Sequence, residues 1–139
     1  MNQKKKELKK EYQQNQPAMG VWQIRNILND KVLIGTALNL PGILNRHQFA
    51  LKMGAHQNKT LQAEWNEFGS ENFAFEILDE LAPTGEPGYD YRTDLAFLEE
   101  LWLEKLQPYG ERGYNEKKKG KEEKLRLIAQ RRAREADED

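Results

Sequence analysis

The chain has 139 residues, 32% of them charged and 37% hydrophobic, which bounds it to one polar domain with a modest core and charged ends. With no cysteine it has no disulfide framework, no thiolate zinc site and no thiol nucleophile. No apolar run approaches the ~20 residues of a membrane span, and the lysine-rich start lacks the apolar stretch of a secretory signal, so a cytoplasmic protein is expected. The formal net charge of −1 hides a division along the chain: residues 1–61 carry +7, residues 62–106 carry −10 and residues 107–139 carry +2. A polyanion such as DNA or RNA would therefore meet the first half of the chain. The alternative is a set of solvated faces without a partner.

Residues 1–17 read as a polar, basic arm closed by Pro17, and residues 18–116 as the folded domain. Val21-Trp22-Gln23-Ile24 and Val32-Leu33-Ile34 are strand-forming segments, and Asn29-Asp30-Lys31 between them supplies hairpin turn chemistry. Asn39 is placed to cap a helix with Pro41 in its first turn, and Ile43, Leu44, His47, Ala50 and Leu51 recur at helical spacing before Gly54. A second helix is expected from about Lys59 to Phe68, with Leu61, Trp65 and Phe68 as its apolar stripe. Phe73, Phe75 and Ile77 alternate as in a strand with one buried face. Residues 82–91, rich in Gly and Pro, read as a loop. Thr93 is the expected cap of a third helix whose Leu95, Leu98, Leu101, Trp102 and Leu106 face the core. Gly113-Tyr114-Asn115 forms a short extended piece, and residues 117–139 a charged tail, helical or disordered.

The resulting order, β-β-α-α-β-α, is that of a small α/β (α+β) domain, a three-stranded antiparallel sheet flanked by helices. Together with its landmarks it resembles the GIY-YIG nuclease superfamily, which includes homing endonucleases, DNA-repair nucleases and some restriction enzymes. The first-strand Gly-Ile-Tyr corresponds to Gly20-Val21-Trp22, and the second-strand Tyr-Ile-Gly to Leu33-Ile34-Gly35, followed by Thr36. The family's helical Arg and the His four residues later correspond to Ile43 and His47. Its metal-binding Glu, three residues before an aromatic, corresponds to Glu99 with Trp102, and its closing Gly-Tyr-Asn to Gly113-Tyr114-Asn115.

The resemblance implies phosphodiester hydrolysis assisted by one divalent metal, Mg²⁺ or Mn²⁺, held by Glu99. It also implies that three catalytic positions are altered. Trp22 replaces a tyrosine with an indole that donates a hydrogen bond but accepts no proton, Leu33 replaces the second tyrosine with a purely apolar side chain, and Ile43 removes the arginine charge. His47 remains as a candidate base and Arg46 as a candidate replacement cation, with Asn115 in support. Arg25, Lys31, Arg46 and Lys52 are the candidate phosphate contacts, whereas Trp22 and Trp65 read as core. Three functions follow: a nucleic-acid-binding domain with cleavage weak or lost, an active metal-dependent endonuclease using His47 and Glu99, or a non-enzymatic protein-interaction module.

Overall fold

The computed structural model describes residues 16–117, 126 and 128–134. Most of the expected basic arm, residues 1–15, and much of the charged tail lie outside the described residues; within the tail, residues 126 and 128–134 are helical. Three strands, β1 (Met19–Asn26), β2 (Val32–Ala37) and β3 (Phe73–Leu81), form one antiparallel sheet in the order β2-β1-β3. Among the described residues, and apart from the helical stretch in the tail, three α-helices accompany them: α1 (Leu40–Lys52), α2 (Lys59–Phe68) and α3 (Arg92–Leu106). The order and fold class are those expected from the sequence.

β1 is the central strand, and its alternating side chains divide the core in two. Trp22 and Ile24 pack with Leu40 and Leu51 of α1, Leu61 and Trp65 of α2, and Phe73 and Tyr114. Val21, with Val32 and Ile34 of β2, points the other way and meets Leu98, Trp102 and Leu106 of α3. The sheet is therefore covered on both faces, which explains the unbroken burial of β1 from Met19 to Ile24. Gly20, at φ 151°, lies so close to β3 that a side chain there would collide with the carbonyl of Asp79.

Local chemistry sets the element ends. The Asn39 side chain accepts the Gly42 N–H at 3.0 Å, and Asn58 accepts the Leu61 N–H at 3.0 Å, so both α1 and α2 begin at Asn caps. Thr93 does not cap α3, contrary to expectation: the helix starts at Arg92, where the Asp90 carboxylate already accepts the backbone N–H at 3.0 Å. Leu101 is 47% exposed rather than core, because it falls roughly 100° around the helix from the stripe of Leu95, Leu98, Trp102 and Leu106. Ile77 is also exposed, although Phe73 and Phe75 on the same strand join the α1–α2 core. β3 continues past it to Leu81, with a register shift opposite Val21 and Trp22 that turns Leu78 toward α3.

β2 is an edge strand, and the end of the domain closes it. Gly113 bridges Val32 in parallel, and the Tyr114 N–H donates to the Val32 carbonyl at 2.9 Å. The Asn115 amide then completes the pairing: its Oδ1 accepts the Ile34 N–H and its Nδ2 donates to the Ile34 carbonyl, both at 2.9 Å.

Candidate functional site

His47 on α1 and His56 in the loop before α2 are joined by a 2.8 Å hydrogen bond between His47 Nδ1 and His56 Nε2. The surrounding donors fix where the hydrogens lie. The Asn58 backbone N–H, which can only donate, points at His56 Nδ1 from 3.0 Å. That nitrogen must offer its lone pair, so the hydrogen of neutral His56 sits on Nε2 and is donated to His47. His47 in turn carries its own hydrogen on Nε2. The His56 backbone is held as well: its N–H donates to Gln62 Oε1 at 3.0 Å, and Gln62 Nε2 donates to the Leu51 carbonyl at 3.1 Å.

This relay disfavours charge on either ring. His47 is pushed down to about 4, first by burial and then by repulsion from His56 and Arg46. His56 is also held below its ordinary value, chiefly by burial. Protonating His47 would oblige its Nδ1 to donate to His56, and His56 would have to place its hydrogen where the Asn58 N–H already points. Both rings are neutral near pH 7.

The His47 ring packs on Trp22 at 4.5 Å between centroids. Trp22 sits opposite Gly35 on β2, and a Cβ on Gly35 would come within 2.5 Å of the indole Cζ2. Gly35 therefore provides the room in which Trp22 lies beneath His47, the two rings tilted by 43°. The Trp22 indole nitrogen is buried and has no hydrogen-bond partner among the described residues. Ile43 and Leu33 pack against the same core, while the exposed Arg46 shares with His47 and His56 the wall of an open cleft of about 290 Å³.

Glu99 approaches β2 from the α3 side, with Oε2 3.5 Å from the Thr36 hydroxyl. Gly35 and Thr36 point to opposite faces of the strand, so His47 and Glu99 reach the end of β2 from its two sides. The described residues contain no cluster of three His, Asp or Glu side chains able to cage a metal. One carboxylate beside a hydroxyl nevertheless suits an ion of the Mg²⁺ kind, which keeps several waters and shares its remaining sites with substrate phosphate.

The other residues singled out by sequence fall into two groups. Arg25 is ion-paired with Glu76 at 2.8 Å and Asp30 at 3.7 Å, and Lys31 with Glu64 at 3.4 Å. Glu64 also accepts from Asn26 and Asn29 at 3.2 and 2.6 Å, so Lys31 belongs to a clamp between α2 and the hairpin turn. Asn115 spends both ends of its amide on Ile34. Arg46 and Lys52, by contrast, stand exposed on α1. The sequence reading missed His56, Asn58 and Gln62. The nine-residue spacing of the two histidines and the helix-capping Asn58 were available signals, but the meeting of a loop with a helix leaves no periodicity to read.

No protein-family model matches the sequence. The chain is similar to the catalytic domain of the homing endonuclease I-TevI, at 30% identity and a TM-score of 0.60, over 72% of this chain and 99% of that domain. A glutamate-to-alanine variant of the I-TevI domain matches at 30% identity and a TM-score of 0.57, over 70% and 92% of the two chains. Intron-associated endonuclease 1 of Enterobacteria phage T4 is 33% identical over 88 residues, which are 63% of this chain but 32% of the phage protein. The chain thus spans about a third of that relative. With the hairpin, Gly35, His47, Glu99 and Asn115 in their expected elements, this chain belongs to the GIY-YIG nuclease superfamily.

Proposed function

We propose that this chain is a DNA-binding GIY-YIG domain in which phosphodiester cleavage is weak or lost. The observation that carries the reading is the pair of contacts that ties His47 Nδ1 to His56 Nε2 and His56 Nδ1 to the Asn58 N–H. A general base must present a lone pair to the water it deprotonates. His47 commits its lone pair at Nδ1 to His56 and bears hydrogen at Nε2, so it is a donor where the reaction needs an acceptor. Trp22 accepts no proton either, and Ile43 offers no charge to the phosphate. Loss of one preorganised electrostatic group typically costs roughly 10²- to 10³-fold in rate. Binding loses less, because Arg46 and Lys52 remain exposed on α1.

A second reading, an active endonuclease, draws on the approach of Glu99 to Thr36 at the end of β2. There Glu99 would hold Mg²⁺ or Mn²⁺, and a bound ion stabilises charge on phosphate oxygens and acidifies water. The two readings separate on supercoiled plasmid incubated with each metal, with Glu99→Ala beside the wild type, and on retention of labelled DNA at increasing salt. Salt-sensitive retention with little or no nicking is expected. Nicking that disappears in Glu99→Ala would overturn the impairment, and absence of salt-sensitive retention would overturn the binding.

A further inference from the structure

The outer face of α1 carries an arrangement that the hydrolytic chemistry does not use. Phe49 is 67% exposed and Met53 65%, an unusual outlay of apolar surface on a helix of a small polar domain. They are four residues apart and so lie side by side. Arg46 and Lys52, both exposed, stand three residues before and three after Phe49, one on each flank of the ring. Six residues of helix separate the two cations by roughly 9 Å along the axis.

The surrounding charge identifies what this face admits. Residues 31–63, which include α1, contain no Asp or Glu at all, and their exposed cations are Arg46, Lys52 and Lys59, Lys31 being ion-paired with Glu64. The opposite side of the molecule has its own exposed aromatic, Phe97 of α3, at 62% exposure, but Asp94, Glu100 and Glu104 share that helix. The two sites match in exposed aromatic surface and differ in sign. A phosphate backbone is drawn to the first and repelled by the second.

We propose that Phe49 is a stacking platform for an unpaired DNA base, with Arg46 and Lys52 holding the phosphates on either side of it. The proposal rests on the DNA-binding reading and deepens it: the preferred ligand is single-stranded or locally unstacked DNA. An aromatic ring between cations is what sequence-tolerant single-strand binding requires, since every base has a face to stack and every nucleotide a phosphate. A regular duplex keeps its bases stacked on one another and gives Phe49 nothing to cover.

The test measures binding of a fluorescent twenty-nucleotide oligothymidylate and of a duplex of the same length, by anisotropy at several salt concentrations. Wild type should prefer the single strand. Phe49→Ala should weaken single-strand binding roughly 5- to 150-fold, as expected for loss of one stacked base. Phe49→Trp should retain that affinity, and Phe97→Ala should leave it unchanged. Arg46→Gln should lower the slope of log affinity against log salt by about 0.7, the value for one single-strand phosphate contact, whereas Phe49→Ala should leave the slope intact.

The failures are separable. Absence of salt-sensitive binding to either DNA would sink the DNA-binding reading itself. Binding that survives Phe49→Ala, or that falls equally in Phe97→Ala, would overturn only the stacking platform. A concentration-dependent dimer abolished by Phe49→Ala, with DNA affinity unaltered, would make this face a contact between copies and overturn it as well.

Discussion

Lowering the pH from 7.5 to 5 should destabilise the protein through His47, and His47→Gln should blunt that effect. The ring is held at about 4 in the fold against an ordinary 6.5. Below 6.5 the unfolded chain takes up a proton that the folded ring refuses. The stabilisation is therefore fully present above pH 6.5 and is lost as pH falls toward 4. Each unit is worth about 1.4 kcal/mol, so the whole window spans ~3 kcal/mol for a ring fully removed from solvent. His47 is only half-buried, and screening reduces this to ~1–2 kcal/mol, of which ~1 kcal/mol should be gone by pH 5. His56, held down by burial, acts in the same direction. Urea unfolding of both proteins at the two pH values measures the difference, and long-range nitrogen–proton correlation spectra report which His47 nitrogen bears the hydrogen. Equal losses in wild type and His47→Gln, a His47 midpoint near 6.5, or hydrogen on Nδ1 would refute the reasoning.

Asn115→Ala should cost about 1–3 kcal/mol in the same unfolding assay, because it strands the paired N–H and C=O of Ile34; an unchanged midpoint would mean that water replaces the amide without loss. Gly35→Ala should cost ~1–3 kcal/mol by forcing a methyl group against the Trp22 indole. Adding Trp22→Phe should recover part of that cost, and failure to recover any would place the strain elsewhere.

Most of the scaffold is legible in the sequence because local chemistry agrees with the tertiary outcome. Asn39 announces α1, Asn58 precedes an α2 that runs from Lys59 to Phe68 as expected, and Asn29-Asp30 marks the hairpin, with Asp30 in the left-handed region at φ 60°. Structure and expectation part where two local signals compete. Thr93 is a good cap, but Asp90 reaches the Arg92 N–H first. Leu101 is as apolar as Leu98, yet the helix turns it to solvent. The site was harder to read for a different reason. His47 could be found by its place on α1, but its protonation is decided by Asn58, eleven positions along the chain, through an intervening ring. Arg25 and Lys31 were indistinguishable in sequence from Arg46 and Lys52. Only folding paired the first two with Glu76 and Glu64.

The closure of β2 by residues 113–115 also bears on the order in which the protein can be built. The β1–β2 hairpin needs only neighbouring residues, and such units form within about 1–10 μs. The contacts between Asn115 and Ile34 span 81 residues of chain. During synthesis the outer edge of the sheet therefore stays unpaired until almost the whole domain has been made, a template for strand addition by other nascent chains. A chain cut short before Tyr114 would keep that vulnerability permanently.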